Sequence, residues 1–349
     1  MPEIRIHYPK LQVSKMKLAT DFDNWRPFDY QVRYDEADPE TPAYVFQVAH
    51  DMPFFFKPLL VLPDGSMKWA VGADYCAPGQ TSIYPYFDSE DRGRVDESLP
   101  NYPHGDHEHE VWLYTPPGYR DNPLKRYPLL VVHDGQHTFQ RDGWGLERTL
   151  DNLMASQVID KMLVLAVANA GHARLAEYGN DFVPYRNYLI DVIERFVDKK
   201  RRLDGPQNLA VMGSSMGGLL SLSLVFDSPE IFGSCAALSP SLLSEDGFAR
   251  EGVDGLDAAD KLRRRISTFE KKSHDIRIYM DCGAQEPLHK WTWLTYNQMS
   301  HRGFTDADLM FLSFPEGGHN QASWARRLHL PLQFLFSGGT PVKSPQLIH

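Results

Sequence analysis

The chain has 349 residues, more than the ~100–200 of one ordinary domain, which allows two domains or one large α/β domain with an appendage. Its composition, 42% hydrophobic and 23% charged, is that of a globular protein, and no stretch approaches the ~18 consecutive apolar residues of a membrane helix. The 36 basic and 46 acidic residues give a net charge of −10 and are interspersed along the chain. Such a surface repels phosphate backbones, which argues against a nucleic-acid partner.

Cysteine usage and the first residues bear on the compartment. Cys76, Cys235 and Cys282 are too few, and too apolar in their surroundings, for a disulfide framework, and there is no CxxC pair for zinc. The opening MPEIRIHYPKLQ lacks a charged region followed by an apolar core, so we expect no secretory signal. A cytoplasmic location is therefore predicted, although an export signal removed from the sequence would leave the same pattern.

Residues 1–105 contain short strand-like runs, such as 43–49 and 57–62, separated by turns rich in Pro, Gly and Asp. The segment PDGS at 63–66, between LLVL and MKWAV, is typical of a β-hairpin turn. No long helical period occurs in this half. We predict an antiparallel β-sandwich domain of immunoglobulin-like size over residues 1–105.

In residues 106–349, apolar strand-like runs alternate with longer amphipathic segments. This is the βαβ pattern of an α/β domain with a mainly parallel sheet flanked by helices. The predicted strands are 111–114, 129–133, 162–168, 209–212, 235–238, 276–280 and 309–314. The predicted helices are 184–203, 217–227, 257–272, 289–302 and 320–336.

The segment LAVMGSSMGG at 209–218 carries a strand into G-x-S-x-G and then into an apolar helix, the context of a nucleophile elbow. The sharp turn would expose the Ser215 hydroxyl at a helix N-terminus, whose amides favour developing negative charge. Gly213 and Gly217 would avoid collisions across the turn. Ser215 is the candidate nucleophile, and a purely structural Gly/Ser turn is the alternative.

A serine nucleophile needs a base and an acid that orients it. His319, in FPEGGHN after the last predicted strand, fits the base, with a position beside a helix cap as the alternative. For the acid, Asp281 ends the strand IRIYMD and Glu286 lies beyond it in CGAQE. Glu286 is favoured because a residue past the glycine can curl over the sheet edge. Asp281, otherwise a strand-end residue, stays open.

An oxyanion hole needs two backbone donors. The Met216 amide, directly after the candidate nucleophile, would be one, and the Gln136 amide, in the turn after LLVVH, would be the other. Asp134 would then be structural and hold this turn through backbone amides.

The second half resembles the enterochelin esterase and esterase D-like family of α/β-hydrolases. The resemblance covers about 106–337 and rests on VWLYTPPGY, LLVVHDGQ, RLAEY, GSSMGG, SPEIF, ALSPS, DCGAQE and GGHNQASW. The first half, with Trp25 in DFDNWRPF and with LPDGSMKWAV, resembles the immunoglobulin-like early-set domain that precedes the hydrolase in ferric enterochelin esterases.

This resemblance implies a serine carboxyl-ester hydrolase that forms an acyl-enzyme, with Ser215, Glu286 and His319 as its triad and no cofactor. The acid departs from the common pattern, since relatives usually carry Asp in this loop. The resemblance also implies a structural ion pair of Arg174 and Glu177 beneath the site, with the gripping of an anionic substrate as another role for Arg174.

Two further clusters have structural as well as functional interpretations. His104, His107 and His109 in HGDHEHE could bind a metal, but no third ligand set follows and a polar interdomain linker explains them, so no metal is predicted. The loop 136–144 and the aromatic residues Trp291, Trp293 and Trp324 could line a substrate pocket or pack helices on the sheet.

Four functions remain from the sequence. The first is hydrolysis of a siderophore-like or other small ester, and the second is a feruloyl or acetyl carbohydrate esterase whose sandwich binds sugar. The same acyl-enzyme could also transfer its acyl group to an alcohol or amine. A non-catalytic binding protein is disfavoured because a scaffold has no need of all three triad groups. The expected partner is a small-molecule ester, with no membrane partner, and a homodimer is left open.

Overall fold

The computed structural model describes residues 2–51, 53–88, 92–96, 102–104, 107–196, 203, 208–250, 252 and 255–337. Its strands are β1 (Glu3–Ile6), β2 (Lys15–Thr20), β3 (Gln31–Asp35), β4 (Ala43–Gln47), β5 (Phe54–Val61), β6 (Met67–Trp69), β7 (Tyr75–Ala77), β8 (Ser82–Ile83), β9 (Arg94–Asp96), β10 (Tyr102–His104), β11 (His107–His109), β12 (Val111–Thr115), β13 (Leu129–His133), β14 (Leu163–Val167), β15 (Leu209–Ser214), β16 (Ser234–Leu238), β17 (Arg277–Gly283) and β18 (Leu309–Phe314). Its α-helices are α1 (Leu146–Ala155), α2 (Arg174–Tyr178), α3 (Val183–Phe196), α4 (Met216–Asp227), α5 (Glu245–Arg250), α6 (Ala258–Thr268), α7 (His289–Ser300), α8 (Gln321–Ala325) and α9 (His329–Phe336).

The chain divides into two units that interleave in sequence. The first comprises Met1–Gly93 with Pro116–Arg126, and the second comprises Arg94–Thr115 with Tyr127–His349. This differs from a single boundary at 105/106 for two reasons. Strand β9 pairs with β12 and so extends the second unit's sheet. In the segment after β12, Asn122 donates hydrogen bonds to the carbonyls of His7 and Pro85, which fixes that segment to the first unit.

The first unit contains two sheets, ordered β3-β4-β1-β8 and β2-β5-β6, with β7 also paired to β5. All of its strand pairs are antiparallel except β1 with β8. Ile4 and Phe46 from one sheet and Leu18 and Phe56 from the other share one buried core. The predicted hairpin turn is confirmed, since β5 and β6 pair and the Leu62 amide donates to the Ser66 carbonyl at 2.9 Å.

The second unit contains an eight-stranded sheet ordered β18-β17-β16-β15-β13-β14-β12-β9. Its strands from β13 onward are parallel to one another, β12 is antiparallel to its neighbour β14, and β9 is antiparallel to β12. Read from β9 to β18, with the eight strands renumbered 1 to 8 in chain order, the sheet has the order 1-2-4-3-5-6-7-8 of the α/β-hydrolase fold. The predicted fold class is therefore confirmed.

The strands that carry the site are buried on both faces, as expected for parallel strands covered by helices. Every residue of β13, β15 and β16 is buried. On one face, Leu146 and Leu150 of α1 and Leu332 of α9 pack against sheet residues such as Val132. Helix α4 begins directly after Ser215, and it is almost wholly apolar and buried from Met216 to Phe226. No helix of the described residues is both long and apolar enough to span a membrane.

Candidate active site

The predicted site residues lie at the carboxyl ends of neighbouring parallel strands. Gln136 follows β13, Ser215 follows β15, Glu286 follows β17 and His319 follows β18. Parallel strands present their carboxyl ends at one edge of the sheet, so loops far apart in sequence meet there. This edge is where α/β proteins commonly bind ligands.

Ser215 occupies a sharp turn between β15 and α4. Its backbone has φ 56° and ψ −121°, a conformation that non-glycine residues rarely adopt. The turn is fixed because the Ser215 amide donates to the Leu238 carbonyl at 2.9 Å. A Cβ at Gly213 would lie 2.6 Å from the backbone of Gly217, so this glycine is needed for the close approach. The predicted strand–turn–helix geometry is confirmed.

Ser215, His319 and Glu286 form a continuous chain of hydrogen bonds. The Ser215 Oγ lies 2.9 Å from His319 Nε2, and His319 Nδ1 lies 2.7 Å from Glu286 Oε2. Glu286 is buried, whereas the His319 side chain is 38% exposed. The carboxylate thus orients the imidazole from the protein interior, while solvent and ligands can reach the end of the hydrogen-bonded chain at Ser215.

The Glu286 carboxyl is held in its ionised form. Burial raises its pKa, but hydrogen bonds from His319, Ser239 and the Gly283 amide outweigh burial and leave the pKa below its usual value. Ser239 and the Gly283 amide both donate to Oε1 at 2.8 Å, which leaves Oε2 for His319. An ionised carboxylate in this position can stabilise an imidazolium on His319.

Asp281, the alternative acid, faces other partners. It is fully buried at the end of β17, and its Oδ1 lies 2.9 Å from Nη2 of the buried Arg327. Tyr279 donates to its Oδ2 at 3.0 Å. Burial raises the pKa of Asp281 to about 6, against the opposing effect of Arg327. The geometry therefore pairs His319 with Glu286 and gives Asp281 a buried ion pair.

The Met216 and Gln136 amides both lie in the first turn of a helix. Met216 begins α4, and Gln136 is in the 3-10 turn Gly135–His137. Backbone N–H groups in a first turn have no acceptor within their own helix, so these amides are oriented donors. In addition, the Gln136 side chain accepts a hydrogen bond from the Asn169 amide at 3.3 Å.

Asp134 holds the turn after β13 by side-chain contacts rather than through backbone amides, which corrects the sequence expectation. Arg174 donates to both of its carboxylate oxygens, at 2.6 and 2.7 Å, and Asn169 donates at 2.6 Å. Asp134 itself has φ 57°, so its backbone makes the sharp turn while its carboxylate is fixed by the guanidinium.

The implied ion pair of Arg174 with Glu177 is wrong. The two residues lie on the short helix α2, but Arg174 pairs with Asp134 and Glu177 lies 3.0 Å from His109 Nε2. Each side chain has a buried partner elsewhere in the unit, and these contacts replace the short-range pair.

Three residues that sequence reasoning did not place in the site, Ser239, Ser241 and Arg327, lie around Ser215, His319 and Glu286, together with Trp324, which had been a candidate pocket residue. Ser239 Oγ accepts hydrogen bonds from Trp324 Nε1 at 3.0 Å and from Arg327 Nη2 at 2.9 Å. The buried Trp324 also packs edge-on against the His319 ring, with 5.0 Å between centroids. The motif ALSPS contained the signal, since it ends the buried strand β16 next to the strand that leads to Ser215.

The remaining aromatic and histidine candidates fall elsewhere. Trp144 is buried in the core beneath the sheet, and Trp293 is 49% exposed on α7. Trp291 packs against the guanidinium of Arg263 at 5.3 Å. These contacts support helix packing for Trp144 and Trp291.

The predicted histidine cluster is described only in part, because the side chains of His104 and His107 lie outside the described residues. His109 is buried, and its Nδ1 lies 2.6 Å from the Ala168 carbonyl. Its Nε2 contacts Glu177, so both ring nitrogens have protein partners. Within the described part of the chain, no group of three His, Cys, Asp or Glu residues is arranged to hold a metal ion.

The family model described as "Putative esterase" matches residues 104–334, about two thirds of the chain. The chain belongs to this esterase family. It is therefore a carboxylic ester hydrolase of the serine-esterase type, and the predicted family and enzyme class are confirmed.

Among similar proteins, an uncharacterized protein of Bacillus subtilis, YbbA, is 23% identical over 249 residues, which are 64% of this chain and 91% of YbbA. A ferulic acid esterase structure has a TM-score of 0.58 at 18% identity and covers 70% of this chain and 98% of its own. The enterobactin esterase FES from Shigella flexneri has a TM-score of 0.52 at 16% identity and covers 94% and 90%. At these identities the two structures establish a shared fold.

Proposed function

We propose that this esterase hydrolyses a siderophore-like or other small ester through an acyl-enzyme, with Ser215 as nucleophile, His319 as base and Glu286 as the orienting acid. The observation that carries the proposal is the hydrogen-bonded chain from Ser215 Oγ through the His319 ring to Glu286, with links of 2.9 and 2.7 Å. A serine hydroxyl is a weak nucleophile until a base takes its proton, and this chain supplies the base.

In the first half of the reaction, Ser215 Oγ attacks the ester carbonyl carbon and its proton moves to His319 Nε2. The carbonyl π electrons move to oxygen, and the amides of Met216 and Gln136 donate to this oxyanion. When the intermediate collapses, the bond to the alcohol oxygen breaks and His319 protonates the departing alcohol. Glu286 stabilises the transient imidazolium without taking its proton.

In the second half, His319 removes a proton from water, whose oxygen attacks the acyl carbon. Collapse of this second intermediate returns the proton to Ser215 Oγ and releases the carboxylic acid. Each step uses side chains and amides of this chain, and none requires a cofactor.

The extent of the structural likeness supports the siderophore-like substrate. FES, which is named an enterobactin esterase and was solved with a dihydroxybenzoyl-glycine, resembles nearly the whole chain, including the first unit. The ferulic acid esterase resembles 70% of the chain, with a higher TM-score. Hydrolysis of feruloyl esters is thus the second candidate, and transfer of the acyl group to another acceptor is the third.

Hydrolysis of a panel of p-nitrophenyl esters, feruloyl esters and catecholate trilactones tests the proposal. We expect turnover of p-nitrophenyl esters by any serine esterase, and the highest kcat/KM for the trilactone. A higher value for feruloyl esters would move the substrate assignment to the second candidate. Addition of alcohol or amine acceptors to the same assays detects acyl transfer by its product. A cytoplasmic location stays a prediction, and the oligomeric state stays open.

A further inference from the structure

The loop Ser239-Pro240-Ser241, here called the SPS loop, follows β16, which lies between the strand of the nucleophile and the strand of the acid. Ser239 contacts Glu286 Oε1 at 2.8 Å, and Ser241 Oγ lies 3.1 Å from Ser215 Oγ. Both serines are buried. One short loop therefore places a hydroxyl at each end of the catalytic chain.

The backbone of the SPS loop is strained and firmly held. Ser239 has φ 42°, which is unfavourable for a residue with a side chain. Its amide donates to the Asp281 carbonyl at 2.8 Å, and the Ser241 amide donates to the Ser215 carbonyl at 3.0 Å. Strain of this kind persists where the surroundings determine the conformation, often at functional sites.

The direction of the hydrogen bond at Ser239 follows from its partners. The Trp324 indole and the Arg327 guanidinium can only donate, and both point to Ser239 Oγ. A hydroxyl has two acceptor positions and one proton, so the proton of Ser239 is left for Glu286. Ser239 thus donates to Oε1 and turns Oε2 toward His319.

The direction of the hydrogen bond between Ser241 and Ser215 follows from the hydrogen bonds that link Glu286, His319 and Ser215. Ionised Glu286 can only accept, so His319 Nδ1 carries a proton and its Nε2 offers a lone pair to the Ser215 hydroxyl. Ser215 has then used its single proton. In the contact between the two hydroxyls, Ser241 must therefore be the donor to Ser215 Oγ.

We propose that the SPS loop sets the polarity of the whole hydrogen-bonded chain, with Ser239 as a positioning residue for Glu286 and Ser241 as a further catalytic residue that donates to the reacting oxygen. The Ser241 hydrogen bond stabilises negative charge on Ser215 Oγ while its proton moves to His319. It acts again when this oxygen leaves the acyl carbon during deacylation. This inference rests on the proposed function, because it presumes that Ser215 is the nucleophile.

Stopped-flow hydrolysis of p-nitrophenyl acetate by Ser241→Ala, Ser241→Thr and Ser239→Gly tests the inference. Glycine is chosen at 239 because it tolerates φ 42° while removing the hydroxyl. Ser228→Ala is the matched control. The buried Ser228 also accepts from an arginine, Arg186, and donates to a carboxylate, that of Asp227, but it lies beyond the opposite end of α4.

We expect Ser241→Ala to slow both acylation and deacylation about 10-fold, the effect of one lost hydrogen bond to a charged oxygen, and Ser241→Thr to restore most of the rate. Ser239→Gly should lower kcat about 10- to 100-fold with little change in KM. It should also shift the downfield proton NMR signal of His319 Nδ1–H, which Ser228→Ala should leave in place.

Wild-type rates in both Ser241→Ala and Ser239→Gly would overturn the inference while leaving the esterase proposal intact, provided that Ser215→Ala is inactive. Equal losses in Ser241→Ala and Ser241→Thr would also overturn the role of the Ser241 hydroxyl. If Ser239→Gly fails to fold, the two Ser241 variants still decide. Activity in Ser215→Ala would instead contradict the proposed function itself.

Discussion

The two carboxylates near the end of β17 show how environment assigns roles to similar residues. Asp281 is still in the strand, where its side chain is buried and contacts Arg327. Glu286 lies past Gly283, on a loop that turns back over the sheet edge toward His319. The sequence could predict this difference because it depends on position relative to the strand end. It could not predict Arg327, since that contact joins residues distant in the chain.

We expect Glu286→Gln to lower kcat by about 10²–10⁴ with little change in KM, because an amide can stabilise neither the required tautomer of His319 nor its imidazolium. Steady-state kinetics on p-nitrophenyl acetate measure both constants. The melting temperature serves as the control and should change little. A Glu286→Gln enzyme with wild-type kcat would remove Glu286 from the triad.

Asp281→Asn should act in the opposite way. It replaces a carboxylate that accepts from Arg327 and Tyr279 by an amide with one acceptor oxygen, so we expect the free energy of unfolding to fall by about 1–3 kcal/mol. The loss in kcat should be smaller than that of Glu286→Gln. Denaturant unfolding of both variants gives the ranking. If Asp281→Asn were inactive and fully stable, the acid would have to be reassigned to Asp281.

The raised pKa of Asp281 also predicts a pH dependence of stability. A carboxyl whose pKa is about 6 in the folded protein and 3.8 in the unfolded chain binds more protons in the folded state between these values. Its contribution is thus fully present below about pH 4 and is lost as pH rises through about 6. Between pH 4 and 7, wild type should lose about 3 kcal/mol relative to Asp281→Asn. A difference that is constant across this range would contradict the assignment.

At the scale of elements, periodicity in the sequence located strands β12 to β18 and the helix after Ser215, because buried strands and apolar helices have strong patterns. The short strands β9, β10 and β11 were not predicted. Helices α1, α2 and α5 were missed, although α1 buries Leu146, Leu150 and Met154 at a helical spacing. The predicted helix 320–336 is two helices, α8 and α9. The sequence did not predict the contacts of the SPS loop, because they join it to Ser215, Glu286 and Trp324, which are distant from it or from one another in the chain.

The loop that carries Glu286 and the loop that carries His319 meet at Gly283 and Gly317, where there is no space for a side chain. A Cβ at Gly283 would lie 2.0 Å from the Gly317 carbonyl oxygen and 2.7 Å from Glu286 Oε1. We therefore expect Gly283→Ala to separate the loops and to lower both kcat and the melting temperature. Gly79→Ala is the control, since its nearest neighbour would lie at an ordinary 3.8 Å. An active, stable Gly283→Ala would show that the loops can move apart freely.

At the scale of the whole molecule, the sequence predicted two domains of different fold class with a single boundary between residues 105 and 106. The units instead exchange segments, with β9 in the second and 116–126 in the first. A change of pattern along the sequence cannot reveal this arrangement, because both segments are short. Strand β9 lies before the change near residue 105, and segment 116–126 lies after it.

The proposed mechanism uses no metal at any step, so chelation offers a test of the whole enzyme. We expect EDTA to leave kcat and KM for p-nitrophenyl acetate unchanged, because proton transfer and oxyanion stabilisation are assigned to His319 and to amides. Loss of activity in EDTA that zinc restores would contradict this mechanism and would direct attention to His104, His107 and His109.

The most direct test of the central claim is to label the intact protein with a fluorophosphonate and to locate the modified residue by mass spectrometry. The account predicts one adduct, on Ser215, with loss of ester hydrolysis in proportion to labelling. Ser215→Ala should take no label, should keep the wild-type melting temperature and should lose about 10⁴–10⁶ in kcat. A label on another serine, or hydrolysis by Ser215→Ala near the wild-type rate, would contradict the account.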